Sequence, residues 1–562
     1  MGLRLHLGLS AAVFLAATFG VVAGENPPVA RFDHLSYRAV NAAAAEHAGP
    51  GINNPILPGY YPDPSIVRVG DDDYLINSTF AYFPGIPIFH SKDLVHWEQI
   101  GNAIDRSSQL DFSGLTTSRG VFAPDISYRD GRFYILNTCV GCKGNFLITA
   151  TDPKGPWSDP QWFPEIDGID PSMFHDDNGK SYILNNGMPE EPPQYEGHRA
   201  IWIQQYDLKA KKLVGPRKVV VDGGVDITKK PIWIEGPHLF KKDGAYYLIA
   251  AEGGTADNHS EVVFRAKSVF GPYVPYEHNP ILTQRDLPAD RPSPITSSGH
   301  ADIFQARDGQ WWSVFLATRP YTGSLYNTGR ETFLLPVTWR DGWPIILPAG
   351  QPIPLHVDLP GVDTAGQRDA LTRDGYGSGP ARLEWLRIRN PNARSLTVYD
   401  DQHIGLAALS EPIGDVNARP SFIGLRQTAA QASFSATVAF DPERDGDRAG
   451  LVAIQNDNFH VFCGIAKVAG ETKIILARRA GPADPRDGVT LASRPLQVME
   501  KGPIALKLEI EDGRLRCRYK VGNQDEDMIP RQDVDATFLS TKMAGGFVGT
   551  LIGLYAYSPG KP

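Results

Sequence analysis

The chain has 562 residues, which is too long for one compact core and predicts two or three domains. Aromatic residues make up 10% of it, and 46 prolines and 56 glycines accompany them, a composition that favours an all-β fold over a helical one. The net charge of −9 and the lack of a long basic run argue against a nucleic-acid partner, whereas a neutral substrate is compatible with them.

The first 24 residues have the form of a secretory signal peptide. Arg4 precedes an apolar run from Leu7 to Ala23, and cleavage after Ala23 or Gly24 fits the small residues there. An uncleaved N-terminal anchor is the alternative. No later stretch is apolar for long enough to span a bilayer, so we expect a secreted or periplasmic protein without a membrane partner. We expect residues 25–53, which contain NAAAAEHAGP, to be a flexible lead-in.

A sequence pattern recurs five times between residues 54 and 350. Each copy begins with a polar or acidic residue at a tight corner. An apolar strand follows, then a turn built on Asp-Gly, Asp-Asp or Asn-Gly, then an aromatic-rich strand. The copies begin at Asp63, Asp125, Asp170, Glu235 and His300, at steps of 62, 45, 65 and 65 residues. These steps suit four-stranded units repeated about an axis, so the sequence predicts a five-bladed β-propeller over residues 54–350.

The first copy holds its acid rigidly, because Asp63 lies between two prolines in YPDPS. Proline lacks the N–H that a sheet needs and restricts the residue before it, so Asp63 cannot lie inside a regular strand. In a propeller, the residue that opens the innermost strand lies at one mouth of the axial channel. We therefore expect the five starting residues to converge there. The alternative is that they only form turns, but glutamate has little value in a turn, and Glu235 needs another reason.

Converging carboxyl groups predict glycoside hydrolysis. That reaction needs one protonated acid for the leaving oxygen and a second carboxylate that acts as base or nucleophile. An acid stays protonated near pH 7 in apolar surroundings or beside a negative charge. The stretch PIWI before Glu235 provides apolar surroundings, and a third carboxylate provides the negative charge. A rigid Asp63 suits a base that positions one water. The chain contains no G-x-S-x-G, H-E-x-x-H or P-loop motif for a competing chemistry.

Six stretches together resemble glycoside hydrolase family 43, namely YYPDPSI, NSTFAYFPGIPIFHSKDLVHW, FAPDISYRDGRFY, GIDPSMF, IEGPHLF and GHADIF. Members of this family are five-bladed propellers that act on arabinose- and xylose-containing polysaccharides with inversion. The resemblance implies that Asp63 is the general base, that Asp170 tunes the pKa of the acid and orients it, and that Glu235 is the general acid. Inversion requires an acid and a base about 6.5–9.5 Å apart.

The resemblance also implies a set of substrate-binding residues. Phe80 is expected to line the −1 subsite, Arg330 to contact a sugar hydroxyl, and His300 to lie near the substrate or a central ion. Phe122 joins them, at a position where xylosidases of the family often have tryptophan. No cofactor is expected to be required, and a structural Ca²⁺ near His300 remains open.

A second domain follows the propeller. Residues 351–381 are rich in proline, glycine and aspartate and predict a linker, and residues 382–562 alternate in the manner of a β-sandwich. This part resembles the jelly-roll domain appended to many xylosidases and arabinofuranosidases of the family. We expect it to shape one wall of the cleft, with a sugar-binding module as the alternative. Whether Cys139–Cys142 or Cys463–Cys517 form disulfides stays open at this point.

The function predicted from these features is that of an exo-acting, inverting glycosidase. It would release arabinofuranosyl or xylosyl residues from plant hemicellulose, that is, from a pentose-containing polysaccharide or oligosaccharide. An endo-arabinanase would need an open cleft, and a non-catalytic carbohydrate-binding propeller could lose the acid; both are alternatives. The sequence leaves open which pentose is preferred and which oligomeric state the protein adopts.

Overall fold

The computed structural model describes residues 27–40, 50–359, 361–362, 372–497 and 502–560. These residues form a five-bladed β-propeller and a β-sandwich, which confirms the predicted fold class. The predicted signal peptide lies outside the described residues. Within them, no helix has both the length and the apolar character that a membrane crossing requires.

Each blade is an antiparallel sheet whose main strands follow one another outward in chain order. Blade one consists of Ser65–Val69, Asp72–Ile76, Gly85–Ser91 and Glu98–Ile104. Blade two consists of Asp125–Arg129, Arg132–Val140, Gly144–Ala150 and Gln161–Trp162, with Gly120–Val121 paired to its second strand. Blade three consists of Ile169–His175, Ser181–Gly187, Ala200–Asp207 and Lys212–Asp222. Blade four consists of Ile234–Lys242, Ala245–Glu252, Ser260–Ala266, Val274–Pro275 and Leu282–Thr283, and blade five of Thr296–Gln305, Trp311–Thr318 and Glu331–Pro336.

The blades are arranged as a ring. The innermost strand of each blade contacts that of the next, and the innermost strand of blade five contacts that of blade one. The Ser65 hydroxyl bridges three blades, because it donates to Asp302 at 3.1 Å and accepts from the N–H of Ile126 at 3.1 Å. The chain before blade one runs beside blade five, where the Leu57 N–H donates to the Thr332 carbonyl at 3.3 Å. Both ends of the domain thus meet in one blade and hold the inner strands in register around the axis.

The sandwich packs two antiparallel sheets against each other. The first runs in the order Leu396–Val398, Ile404–Ala407, Val29–Val40, Gln431–Ala439, Ile504–Glu511, Arg514–Val521 and Asp527–Met528, with Thr372–Asp374 and Val534–Asp535 paired at its sides. The second runs in the order Ser421–Arg426, Leu551–Tyr557, Arg448–Asn456, Phe459–Val468, Glu471–Ala480 and Val489–Pro495. Alternate residues of Ile504–Glu511 are buried, the pattern of a strand with one face on a core.

Short elements complete the chain. Three further strand pairs are Gly51–Asn53 with His356–Asp358, Tyr82–Phe83 with Arg387–Ile388, and Thr338–Arg340 with Trp343–Ile345. The described helices are one α-helical turn, Thr541–Ala544, and the 3₁₀ helices Ile227–Lys229, Gly379–Glu384 and Thr537–Leu539. Parts of the predicted linker over 351–381 therefore have regular structure and pair with both domains, rather than only connecting them.

The prediction of a flexible lead-in over residues 25–53 is wrong for two segments. Gly51–Asn53 is a strand, and Val29–Val40 lies inside the first sandwich sheet, between Ile404–Ala407 and Gln431–Ala439. The reason is the alternation in VARFDHLSYRAV, which buries Phe32 and Tyr37 in the sandwich core. Residues 41–49, which include the alanine-rich stretch, lie outside the described residues.

The cysteines are paired, and the two domains are joined through buried groups. Cys139 pairs with Cys142 within blade two, and Cys463–Cys517 links the two sandwich sheets.

At the domain boundary, Arg389 forms a buried ion pair with Asp457, whose other oxygen accepts from the Thr117 N–H at 2.9 Å. These contacts fix the sandwich against the propeller loop that precedes blade two.

Candidate active site

Three polar residues turn into one mouth of the propeller through the same backbone conformation. Asp63 lies just before the innermost strand of blade one, Asp170 is the second residue of that of blade three, and His300 lies within that of blade five. Their φ values are 52°, 53° and 52°. Positive φ is uncommon outside glycine, and such residues cluster at functional sites. Blade four has Gly236 here, with φ 56°, and a Cβ at this position would lie 2.7 Å from the His300 ring.

The structure corrects the predicted equivalence of the five starting residues. Glu235 comes one residue before the left-handed position of its blade, and Asp125, the first residue of the innermost strand of blade two, does not have a positive φ. Asp63, Asp170, Glu235 and His300 line the same pocket, of about 350 Å³, whereas Asp125 does not line it. Four of the five predicted starting residues thus converge on one pocket, as expected, and the fifth, Asp125, does not.

Asp63 is held by two side chains. It is 4% exposed, and its Oδ1 accepts from the Arg330 Nη1 at 2.9 Å, while its Oδ2 accepts from the Ser78 hydroxyl at 2.5 Å. Arg330 also donates to the Thr255 hydroxyl at 3.1 Å. A charge-assisted contact on one oxygen and a hydroxyl on the other restrict the carboxylate to one orientation. The arrangement leaves this group rigid at the wall of the pocket, as the two flanking prolines predict.

The buried Asp170 and the half-buried Glu235 form an acidic pair. Burial and then the charge of Asp63 raise the pKa of Glu235 to about 7, against opposing effects of Arg330 and Arg199. Burial and the neighbouring Glu235 hold the pKa of Asp170 well above its usual range, although the Gly236 N–H donates to Asp170 at 3.2 Å. Two acids this close cannot readily both ionise, so the pair keeps a proton near neutral pH. A proton donor and a carboxylate, Asp63, are therefore present in one pocket.

Aromatic rings from both domains form one side of the pocket. Phe80 meets Phe122 edge to face at a centroid distance of 5.2 Å, and Phe547 of the sandwich stacks on Phe80 at 5.8 Å. The Arg330 guanidinium lies 5.5 Å from the centre of the Phe547 ring. The expectation that the sandwich shapes one wall of the cleft is therefore confirmed, and its contribution is Phe547.

His300 lines the pocket beside Asp63. Its Nδ1 is 3.8 Å from the Asp63 carboxylate, and burial lowers its pKa to about 3 despite that charge. The imidazole is therefore neutral at physiological pH and can donate or accept one hydrogen bond at each nitrogen.

A cationic histidine occupies the axis below the pocket. His238 lies 3.4 Å from Asp125 and 3.6 Å from Asp302. Burial lowers the pKa of His238, but Asp302 and Asp125 outweigh burial and raise it to about 9. Across the described part of the chain, no group of three or more His, Cys, Asp or Glu side chains is arranged to hold a metal ion. A structural Ca²⁺ near His300 stays a prediction, because backbone carbonyls and waters can also hold this ion.

Several pocket residues escaped the sequence analysis. Ile169, Ile232, Trp233, Thr255 and Phe547 all line the pocket. Trp233 stands two residues before Glu235 in PIWIEG, so its position was a usable signal. Phe547 lies more than 200 residues beyond the last predicted site residue, in GGFVG, and nothing local in the sequence connects it with the propeller.

Comparison with known proteins agrees with this geometry. The family model for glycosyl hydrolases family 43 matches residues 52–344. This chain belongs to glycoside hydrolase family 43. The family 43 chain is also matched over residues 373–562 by the model of a beta xylosidase C-terminal concanavalin A-like domain. It is therefore a glycosidase, and its substrate is a carbohydrate.

Relatives of this family 43 protein align over nearly the whole chain. A xylosidase/arabinosidase of Butyrivibrio fibrisolvens is 39% identical, over 91% of this chain and 96% of its own. A non-reducing end alpha-L-arabinofuranosidase of Bacteroides ovatus is 35% identical, over 90% of this chain and 92% of its own. Among solved structures, a GH43_12 protein retrieved from capybara gut metagenome superimposes with a TM-score of 0.86 at 37% identity, covering 95% of this chain and 100% of that one.

Proposed function

We propose that this protein is an exo-acting, inverting glycosidase that removes single arabinofuranosyl or xylosyl residues from pentose-containing polysaccharides or oligosaccharides of plant hemicellulose. The observation that carries this proposal is that Asp63, Asp170 and Glu235 line one pocket, while the surroundings of Glu235 raise its pKa to about 7. The names of the relatives, which include both xylosidase and arabinofuranosidase, support these two pentoses.

In the proposed reaction, the terminal sugar lies between the base and the acid. Asp63 takes a proton from a water as the water oxygen attacks the anomeric carbon. Glu235 gives its proton to the oxygen of the breaking glycosidic bond, so the leaving sugar departs as a neutral alcohol. After one turnover Asp63 carries a proton and Glu235 has lost one, and exchange with solvent restores both. Such general acid and base groups each contribute about 10²–10⁴-fold in rate.

Asp170 and Arg330 have supporting roles in this proposal. A negative charge on Asp170 would oppose ionisation of the neighbouring Glu235 and keep the acid protonated until it is needed. Arg330 holds Asp63 at 2.9 Å and faces the pocket, where it can also donate to a sugar hydroxyl. The neutral imidazole of His300 can do the same without adding a charge to the pocket.

The shape of the pocket supports exo action over the endo alternative. Phe547 covers one side, and the Lys542 ammonium pairs at 2.9 Å with Asp257. That ion pair joins the helical turn Thr541–Ala544 of the sandwich to the blade-four loop that carries Thr255. An endo-acting enzyme must leave a passage for the polymer on both sides of the scissile bond, and these contacts lie across one side.

We also propose that catalysis needs no added metal and that the protein is exported. The imidazolium of His238 already supplies a positive charge between the two axial carboxylates. Enzyme treated with EDTA should keep its activity, and activity restored only by Ca²⁺ would contradict this. Export predicts a mature N-terminus after Ala23 or Gly24, which N-terminal sequencing of the secreted protein would check.

The proposal is tested with nitrophenyl α-L-arabinofuranoside, nitrophenyl β-D-xyloside and arabinan. The wild type should release nitrophenol from at least one glycoside. Glu235→Gln should lose turnover of sugars with poor leaving groups, while a good leaving group, which needs no proton, is still released slowly. Asp63→Asn should lose both reactions. Depolymerisation of arabinan without nitrophenol release would favour the endo alternative, and no hydrolysis of any substrate would favour a binding protein.

A further inference from the structure

The segment directly before the proposed acid forms an outer wall of the pocket. Ile232 and Trp233 both line it, and Ile232 is nevertheless 53% exposed. Large apolar side chains so exposed at the edge of a pocket are suited to contact with a ligand. Neither residue has a role in the proposed proton transfers.

The backbone at Trp233 has an unusual conformation. Its φ is 46°, a left-handed value that is a true outlier for a bulky residue. Two hydrogen bonds hold it there: the Trp233 N–H donates to the Gly197 carbonyl at 3.1 Å, and the Gly253 N–H donates to the Ile232 carbonyl at 2.9 Å. Outliers that the surrounding structure enforces in this way concentrate at ligand sites.

The indole ring is fixed from one side by a cation. The Arg199 guanidinium lies over the Trp233 ring, 4.1 Å from its centroid, and Arg199 itself donates to the His198 carbonyl at 2.8 Å. His198 is buried, and its Nε2 is 2.9 Å from Asp222. A ring anchored by a guanidinium keeps one orientation before any ligand arrives, and such preorganisation favours binding.

The location of the ring relative to the acid suggests which sugar it meets. A general acid lies beside the oxygen that bridges two sugars: the terminal pentose that is cut off, and the rest of the chain, which is the leaving group. Asp63, His300, Arg330 and Phe80 line the pocket and are each at most 6% exposed, so they lie at its buried end. Ile232 is 53% exposed and Trp233 is half-buried, so these two residues lie nearer to solvent, at the mouth of the pocket.

We propose that Ile232 and Trp233 form the subsite for the leaving sugar, with Arg199 as the residue that positions the Trp233 ring. The ligand is an uncharged xylosyl unit, whose C–H face packs on the indole. This inference rests on the proposed exo-glycosidase function. It predicts that Ile232 and Trp233 contribute to the hydrolysis of substrates whose leaving group is a sugar, and do not contribute when the leaving group is a single atom.

The experiment compares two substrates that share the released pentose. One is a xylotriose that carries it as a terminal or branching residue; the other is the pentosyl fluoride, which has no leaving sugar. Trp233→Ala should lower kcat/KM for the oligosaccharide at least tenfold and change it less than twofold for the fluoride. Trp233→Phe should retain most of the oligosaccharide activity. Arg199→Met also removes a charge that acts on Glu235, so it should lower kcat/KM for the oligosaccharide by a larger factor than for the fluoride. Trp162→Ala removes a half-buried tryptophan that Lys143 approaches at 5.6 Å away from the pocket, and should alter neither.

Equal losses on both substrates in Trp233→Phe and Arg199→Met, or no loss on the oligosaccharide in Trp233→Ala, would overturn this inference while the proposed function stands. A wild type that hydrolyses neither substrate would overturn both. Melting temperatures of the variants accompany the kinetics, and a Trp233→Ala protein that fails to fold leaves the decision to the Phe and Met variants.

Discussion

Replacing Glu235 with glutamine should stabilise the folded protein at alkaline pH while it removes the proposed acid. The pKa of Glu235 rises from 4.5 to about 7 on folding, chiefly because the carboxyl is buried and then because Asp63 is near. The folded state therefore binds this proton more tightly than the unfolded chain does. The stability that this proton contributes to the folded state is present in full below pH 4.5 and is lost as the pH rises through about 7.

The size of the effect follows from the shift. One pKa unit corresponds to about 1.4 kcal/mol, so ionisation of Glu235 costs the folded state about 3 kcal/mol at the alkaline end. Glutamine has nearly the same shape and never ionises, so the variant avoids this cost. The loss of an active-site charge should thus raise stability, as is common where function requires strained or desolvated groups.

The assay is thermal unfolding of wild type and Glu235→Gln between pH 4 and pH 8. The difference in melting temperature should be near zero at pH 4, grow in favour of the variant from pH 4.5 to 7, and stay constant above. The exposed Glu165→Gln is a matched control and should show no such trend. A difference that does not depend on pH, or a variant less stable than the wild type at pH 8, would refute the reasoning.

Three further predictions concern the acidic pair, the sandwich wall and the N-terminal strand. In Asp170→Asn, Glu235 ionises without a second acidic group beside it, so the alkaline limb of kcat/KM should move to lower pH; an unmoved limb would argue against the tuning role. In Phe547→Ala, loss of the ring should lower kcat/KM for nitrophenyl glycosides about tenfold, mainly through KM, and a change confined to melting temperature would leave the wall without a substrate role. In Phe32→Ala, a buried ring of the sandwich core is lost, which should cost about 3–5 kcal/mol in denaturant unfolding, whereas the exposed Val40→Ala should be nearly neutral.

The propeller could be predicted because its signal is repeated. Each blade carries its own strand–turn–strand pattern, so Asp63, Asp170 and His300 could be aligned without knowledge of the fold. The alignment is off by one residue at Glu235 and does not hold at Asp125. Several inner strands open with a bulge while that of blade two pairs without one, and this difference in register cannot be read from single-strand patterns. The convergence of the acids nonetheless follows from the repeat itself.

Contacts between distant parts of the chain could not be predicted in the same way. Val29–Val40 pairs with strands that begin near residues 404 and 431, and its alternation was compatible with any sheet or with none. Phe547 reaches the pocket only because the sandwich packs against blades one and two through Arg389, Asp457 and Thr117. Nothing in the local sequence encodes that packing, since it depends on the surfaces of two folded domains.

The stereochemistry of the first product tests the central claim most directly. If Glu235 delivers a proton while Asp63 activates water on the opposite face of the sugar, the anomeric centre must invert. Proton NMR of the wild-type reaction on a nitrophenyl pentoside, recorded before mutarotation, should show first the anomer opposite in configuration to the substrate. A first-formed sugar of the substrate's own configuration would mean that a carboxylate attacks the sugar directly, and would contradict the assignment of Asp63 as a base.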